Sequence, residues 1–409
     1  MTVNLDAHEG KSMIIKPKVR GFICTTAHPV GCAYSVQQQI DYVKKQKPLS
    51  QGPTKALIIG SSTGYGLASR IVAAFGGTKA STIGVFFEKP AEDKRTATAG
   101  WYNSVAFEKA AIKEGLYAKS FNGDAFSDEI RGQVVEAVKK DLKGVDLIVY
   151  SLASPRRQHP KTGVLHKSTL KPIVGNFTSK NLDLDKNILE SITLPQATPE
   201  EVESTIAVMG GEDWEFWIDA LDREKLLLPG VLTMAYSYVG PELTRPVYRN
   251  GTIGRAKDHL EATAKKLDVR LKSMGGRAVV SVNKALVTQS SSAIPVIPLY
   301  FVVLNKIMKE KGVHENCIQQ MWRLFSDRVY GPQGIVTDEQ GLARVDDLEL
   351  RPDVQKAVHQ AWAVLSDQNL MQYADIPGYH RDFMNLFGFE FPVNYDADVE
   401  YDLPLPSAK

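Results

Sequence analysis

From residue 55 onward, short apolar runs alternate with longer amphipathic ones. Lys55–Ile59 (KALII), Thr82–Phe87 (TIGVFF) and Val145–Tyr150 (VDLIVY) are short and rich in β-branched or aromatic side chains. That is the pattern of strands buried on both faces. Between them, Gly66–Phe75, Asn103–Glu114 and Asp128–Leu142 carry apolar residues at helical spacing, with Ser127 as the N-cap of the last. Strands alternating with helices predict an α/β fold of the Rossmann type, a doubly wound parallel sheet with helices on both faces.

The alternation stops at Ser154. Residues 155–229 are polar, with Pro, Asn, Asp and Thr scattered through them, and predict a large insertion, a hairpin or helical lid rather than another sheet repeat. The pattern resumes with a strand at Leu232–Tyr238, a helix from Ile253 to Met274 and a strand at Arg277–Val282. Amphipathic stretches at Val313–Tyr330 and Val354–Leu365 predict extra C-terminal helices cladding the sheet. The chain therefore divides into an N-terminal extension packed on the core (1–50), a dinucleotide-binding half (51–154), an insertion or substrate lid (155–230) and a catalytic half with C-terminal helices (231–409). Together these form one integrated domain. There are no internal repeats and no low-complexity segments.

Composition narrows the function by exclusion. The chain has 409 residues, 43% hydrophobic and 23% charged, with a formal net charge of +2. That balance gives no reason to expect nucleic acid or a membrane surface as the main partner. The most apolar stretch, Ala293 to Leu304, is too short to span a bilayer and contains Pro295 and Pro298. The opening MTVNLDAHEGKS is neither a signal nor a transit peptide and reads as a disordered extension. The three cysteines, Cys24, Cys32 and Cys317, have no zinc spacing and read as idle thiols of a cytoplasmic protein.

The first strand runs straight into Gly60-Ser61-Ser62-Thr63-Gly64-Tyr65-Gly66 and then into a helix. Glycines there allow a tight turn and close backbone approach, and the helix N-terminus turns free N–H groups toward a pyrophosphate. The second strand ends in Phe87-Glu88, and Glu88 lies 22 positions after Gly66. An acid at that place accepts from a ribose 2′-hydroxyl and repels a 2′-phosphate, so NADH is favoured over NADPH. The third strand ends at Asn122-Gly123-Asp124-Ala125, where Asp124 is placed to accept from an adenine amino group. The fourth ends in Ser151-Leu152-Ala153-Ser154, small residues against which a cofactor can lie.

After the fifth strand come Tyr236-Ser237-Tyr238, Tyr248 and Lys257. A phenol beside a nicotinamide can donate to the oxygen that gains charge as hydride adds to an enone or enoyl thioester, and an ammonium can lower that phenol's pKa. The spacing alone is commonplace. Set in the motifs IGSSTGYGLASRI, AGWYNSVAFEKAA, NGDAFSDEI, VMGGEDWEFWI, YSYVGPE, YRNGTIGRAK and VSVNKALVTQSSSAIPVIPLY, it is not.

With MIIKPKVRGFICTTAHPVGC near the start, these motifs cover almost the whole chain, which resembles the FabV-type enoyl reductases, including the trans-2-enoyl-CoA reductases. These are extended relatives of the short-chain dehydrogenases with a wider Tyr-x8-Lys spacing. The resemblance implies NADH-dependent reduction of the C2=C3 bond of trans-2-enoyl thioesters, carried on coenzyme A or an acyl carrier protein, by a cytoplasmic monomer. It makes Tyr248 the proton donor, Lys257 the residue that holds the cofactor and Tyr238 a contact of the substrate carbonyl. The cofactor site would be lined by Gly60, Ser61, Ser62, Thr63, Gly64, Tyr65, Gly66, Phe87, Glu88, Asp124, Ala125, Leu152, Ala153, Leu286, Val287 and Thr288. Ile294–Leu304 would form a helix beside the acyl chain. Where many members have a second lysine, Asp258 stands here. YSYVGPE and YRNGTIG lean toward the coenzyme A type.

Two other readings stay open on the residues. A ketoreductase can use the same phenol and lysine, with Ser237 polarising the ketone. A dinucleotide sensor would bind NADH without turnover, although such proteins tend to lose the tyrosine or the lysine. The basic run Arg156-Arg157-Gln158-His159-Pro160-Lys161 reads either as a solvated loop or as a contact for carrier phosphates. Trp214 and Trp217 read as packing residues. No metal site is expected.

Overall fold

In the computed structural model, Ala56 and Ile58 of one strand point into one hydrophobic core while Leu57 and Ile59 point into another. Both sets are fully buried, as expected for a strand sandwiched between helical layers. The structure describes residues 11–20, 23–152, 154–184, 186–288 and 296–408.

That strand, β1 (Lys55–Ile59), is an interior strand of a seven-stranded sheet with β2 (Ser81–Phe86), β3 (Ala118–Asn122), β4 (Val145–Tyr150), β5 (Leu227–Ser237), β6 (Arg277–Val282) and β7 (Leu342–Arg344). The order across the sheet is β7-β6-β5-β4-β1-β2-β3, and every paired neighbour is parallel. The order reverses between β1 and β4, so a crevice opens at their carboxyl ends, where doubly wound sheets hold ligands.

Helices α1 (Pro29–Lys45), α2 (Gly64–Phe75) and α3 (Ala99–Lys113) cover one face of the sheet. The other face is covered by α4 (Asp128–Ala137), α5 (Glu212–Arg223) and α6 (Thr252–Leu271). Ser127 caps α4, accepting from the amide of Ile130 as the sequence predicts. Its continuation to Leu142 is a π-helical turn rather than regular α-helix.

The sequence reading is corrected at three places. The stretch 155–229 is not only a lid. It holds two hairpins, Arg156–Gln158 with Leu165–Lys167 and Phe177–Asp183 with Ile188–Leu194, but α5 also belongs to the sheet's cladding. Trp214 and Trp217 on α5 are fully buried, in the packing role read for them from the sequence, and the polar residues before them mask only the helix's place on the sheet. Second, the C-terminal region is not purely helical, because Leu342–Arg344 adds the seventh strand. At three residues it is too short to show a period. Third, Ser12, the last residue of the segment read as a disordered extension, already belongs to a strand, Ser12–Ile14, that pairs with Asp398–Glu400. Residues 1–10 lie outside the described residues.

A third core lies beyond the carboxyl edge of the sheet. It packs α7 (Ile297–Glu310), α8 (Pro352–Val364) and α9 (Ile376–Asn385) with the N-terminal segment and with Val247 and Tyr248. The helix expected at 294–304 thus begins at Ile297 and runs on to Glu310, while residues 294 and 295 lie outside the described residues.

Trp214 fills the layer between α5 and β5, and its indole N–H donates to Thr233 Oγ1 at 2.8 Å. Trp214→Ala should lower stability by about 3–5 kcal/mol, read as a fall in the urea midpoint. Trimming exposed Val269 to Ala should stay within about 0.5 kcal/mol. Equal effects of the two would remove Trp214 from the core.

Candidate active site

The crevice at the switch point is a cavity of about 960 Å³. Its floor is the turn between β1 and α2. Gly60 has φ +87, and a Cβ there would lie 1.9 Å from the carbonyl oxygen of Ser151 on the exit of β4. A Cβ on Gly66 would lie 1.9 Å from the carbonyl oxygen of Gly60, so α2 starts as close to the turn as backbone allows. Gly64 has open space beside it. Thr63, the N-cap of α2, makes no side-chain capping bond, which leaves the first helical N–H groups without a capping side chain among the described residues. A pyrophosphate fits that vacancy in charge and in donors.

Glu88 follows β2 on the same wall. Its Oε1 accepts from Ser62 Oγ at 2.8 Å, and a Cβ on Gly100 would lie 2.0 Å from that oxygen. Asn122 holds the Glu88 backbone from β3, accepting from its N–H (2.8 Å) and donating to its carbonyl (2.9 Å). Burial pushes the Glu88 carboxyl up, and hydrogen bonds from Thr98 and Ser62 oppose the shift. Asp124 lines the cavity while its Oδ1 accepts from the Phe126 amide at 3.0 Å.

The opposite end is a cluster of tyrosines. Tyr238 and Tyr248 meet edge to face, their ring centroids 4.9 Å apart at 86°. Tyr248 comes from the turn before α6, and Lys257 stands in that helix after Gly254, whose missing side chain lets the chain fold tightly on Arg249. On one continuous helix residues nine apart would face opposite sides, so the turn is what brings both residues to the cavity wall. Lys257 Nζ donates to the Tyr236 carbonyl at 3.2 Å. Burial pulls its pKa down to about 8, with Glu261 opposing. Burial, and then the charge of Glu349, push the Tyr248 phenol upward.

Of the residues named from sequence, Gly60, Ser62, Thr63, Gly64, Tyr65, Phe87, Glu88, Asp124, Ala125, Leu152, Tyr238, Tyr248, Lys257, Leu286 and Thr288 line this one cavity. Three do not. Ser61 is buried beneath the turn with its Oγ on the Val85 carbonyl, Gly66 is the packing contact described above, and Val287 points into the third core. Ala153 lies outside the described residues. Ser237 and Asn283 also line the cavity, and Ser237 Oγ and Asn283 Nδ2 are buried without a partner among the described residues. Lys284, buried on the same wall, donates from Nζ to the Ala285 carbonyl at 2.8 Å. The basic run divides: Arg157 is internal, bonded to Glu212 and the Ala207 carbonyl, while Arg156 is exposed and lines the cavity.

Three family models match the chain: an NAD(P)H binding domain of trans-2-enoyl-CoA reductase over residues 14–93, the trans-2-enoyl-CoA reductase catalytic region over 95–330, and an enoyl reductase FAD binding domain over 337–399. The chain belongs to the trans-2-enoyl-CoA reductase family. It is 57% identical to an NADH enoyl-[acyl-carrier-protein] reductase of Opitutus terrae, over 96% of this chain and all of that one. It is 56% identical to an NADH trans-2-enoyl-CoA reductase of Ruminiclostridium cellulolyticum, over 96% of this chain and 98% of that one. The crystal structure of Treponema denticola trans-2-enoyl-CoA reductase with NAD matches with a TM-score of 0.92 at 50% identity, covering 96% of this chain and all of the other.

A flavin does not fit the segment that the third family model describes. The cavity takes no wall from residues 337–399. Val354, Val358, Ala361, Leu365, Leu370 and Ile376 fill that segment's interior as part of the third core. Strand β7 leads into no glycine-rich turn and helix of the kind that follows β1.

The depressed pKa of Lys257 is also a stability statement. Below about pH 8 the native state carries a partly desolvated ammonium, which costs stability. Between pH 8 and 10.5 the unfolded chain still binds that proton and the native one does not, so this cost fades as pH rises. Lys257→Met should therefore melt higher than the unmodified protein at pH 7, by a margin that shrinks toward pH 10. A margin that grows with pH would contradict the assigned burial.

Proposed function

We propose that this protein is an NADH-dependent reductase of trans-2-enoyl thioesters, converting the C2=C3 double bond to a single bond. The observation that carries the reading is one cavity with an uncapped helix N-terminus and Glu88 at one end and Tyr248 with Lys257 at the other. NADH, when bound, supplies the hydride that adds to C3.

The chain's own residues manage charge and protons. Hydride addition places negative charge on the thioester oxygen, and the Tyr248 hydroxyl is the donor that stabilises it. The Tyr248 proton completes the reduction at C2, and the phenolate left behind recovers a proton from solvent. Lys257 holds the cofactor and, when protonated, lowers the cost of that phenolate. Gly60, Ser62, Thr63, Gly64 and Tyr65 receive the pyrophosphate, Glu88 a ribose hydroxyl and Asp124 with Ala125 the adenine. Leu152, Leu286 and Thr288 close over the nicotinamide half. Tyr236 is withdrawn from this work, since its hydroxyl shares a 2.5 Å hydrogen bond with Ser69 of α2.

Coenzyme A is the carrier we favour, with Arg156 at the cavity mouth placed to meet a phosphate; an acyl carrier protein is the other. Free thiols suit the reducing cytoplasm, where acyl thioesters are made. Among the described residues no helix is long and apolar enough to cross a membrane. The unpartnered Ser237 hydroxyl keeps a ketoreductase as the second reading, and turnover of acetoacetyl-CoA without turnover of crotonyl-CoA would select it.

Absorbance at the NADH band on adding crotonyl-CoA tests the reaction directly. Tyr248→Phe should lower kcat by about 10²–10⁴-fold while leaving the NADH Kd unchanged. Retained turnover would remove Tyr248 as the acid. Oxidation should be rapid with NADH and slow with NADPH, and Glu88→Ser should narrow that gap. An unaltered preference in the variant would show that Glu88 does not read the ribose.

A further inference from the structure

Glu349, in the turn after β7, is fully buried yet holds a carboxylate next to the tyrosine cluster. Its Oε1 accepts from the hydroxyls of Tyr238 (3.0 Å) and Tyr300 (2.7 Å), and its Oε2 accepts from the Ala285 amide (2.7 Å). Gln355 Nε2 braces the group, donating to the Glu349 carbonyl at 2.7 Å and to the Tyr300 hydroxyl at 3.3 Å. Three donors converging on two oxygens match an ionised carboxylate, which only accepts. Burial pushes its pKa up, and the amide and the nearby Lys284 ammonium oppose that shift.

Glu349 is absent from the cavity wall, so it does not touch what the cavity holds. Its route to the site runs through Tyr238, which does line the cavity and whose ring stands edge-on to Tyr248. A phenol tied at its hydroxyl cannot swing about its side-chain torsions, and its proton is committed to the carboxylate. Tyr300 reaches the same oxygen from α7, so the three side chains lock the catalytic turn to the third core.

We propose that Glu349 is a positioning residue: by accepting the Tyr238 hydroxyl it fixes Tyr238 against Tyr248 and leaves Tyr248 as the phenol that donates to substrate. This rests on the reductase reading above. It also revises the expected role of Tyr238, whose contact with a substrate carbonyl as donor would require the Glu349 bond to break. Glutamine does not reproduce this arrangement: with its carbonyl oxygen on the Ala285 N–H, its NH2 would donate to the two phenols, reversing their hydrogen bonds and freeing the Tyr238 proton.

The test is a double-mutant cycle on the full-length protein with NADH and crotonyl-CoA. Glu349→Gln and Tyr238→Phe should each lower kcat by about ten- to a hundredfold without changing the NADH Kd. The double variant should be no slower than the slower single one. Losses that multiply would overturn the proposal. If Glu349→Gln does not fold, Tyr300→Phe takes its place in the cycle. Its loss of kcat should then appear with Tyr238 present and vanish in the Tyr238→Phe background, and the same loss in both would also overturn it. A readout without turnover separates this idea from the reductase reading. The ¹⁹F signal of 3-fluorotyrosine placed at 238 should shift and broaden when Glu349 or Tyr300 is changed, and an unmoved signal rejects the positioning role whatever the protein reduces. Unmodified protein that oxidises no NADH with any enoyl thioester strikes the reductase reading instead.

Discussion

Gly60 and the carbonyl of Ser151 approach so closely that a single methyl group between them would sit 1.9 Å from the oxygen. That contact clamps the end of β1 to the end of β4, the two strands between which the sheet reverses its order. Gly66 then stacks on the Gly60 carbonyl with equally little room, which fixes where α2 starts and where its uncapped N–H groups point. Everything at the phosphate end of the cavity inherits its position from these backbone contacts. They involve no side chain, so they leave the wall smooth and the helix dipole unscreened. Ser62, the next residue but one, is thereby set to donate to Glu88 from the neighbouring strand.

The insertion is held to this frame by buried charge. Asp213 on α5 is 2% exposed and takes hydrogen bonds from Arg131 of α4 (2.7 Å) and from Tyr150 at the end of β4 (3.1 Å). Arg157, from the first hairpin strand, approaches it to 4.0 Å and bonds Glu212 at 2.7 Å. Burial lifts Asp213 to about 6 against the pull of the two guanidinium groups. Such a cluster is weak evidence for stability, because desolvation costs as much as the attraction returns. Its effect is on geometry. A misdocked hairpin would strand a charge without a partner, so β4, α4, α5 and the hairpin have one low-energy arrangement. That arrangement puts Arg156 at the cavity mouth and turns Arg157 inward, a split between adjacent arginines that the basic run does not reveal.

The legible parts of the sequence were those where one local rule decides the outcome. KALII followed by GSSTGYG specifies a buried strand, a turn and a helix start within a dozen residues, and Ser127 reads as a cap because its partner is three positions on. Glu88 is legible because the end of the second strand is. Residues whose role depends on distant partners were not. The helix α5 lies in a polar stretch and its place on the sheet is set by β5, while β7 is recognisable only by its pairing with β6. Ser61 sits inside the glycine motif but points beneath it, since alternation through the turn sends neighbouring side chains to opposite sides. Glu349 lies 101 positions from Tyr248 in a segment that carries no motif, and only the third core brings the two together. A buried carboxylate becomes visible once its three donors are in place, not before.

Burial moves the two groups we propose as catalytic in opposite senses, Tyr248 toward the protonated phenol and Lys257 toward the neutral amine. A raised phenol pKa looks like a handicap for an acid. Yet on the proposed reaction a thioester enolate formed in the same cavity would be partly desolvated by the same walls and would become a stronger base in step with the phenol. Desolvation therefore nearly cancels from the proton transfer. What remains is the local cation, which favours phenolate over phenol and is strengthened by the low dielectric. We propose that Lys257, on the wall of the same cavity, supplies that asymmetry, which gives its charge a use in a place where charge costs stability. The Glu349 carboxylate acts against it, raising the phenol further, and its two phenolic donors and one amide disperse that negative charge away from Tyr248. Held by two phenols and an amide, the carboxylate has its charge partly balanced by their dipoles, and in the positioning role we propose it orients the ring beside the acid.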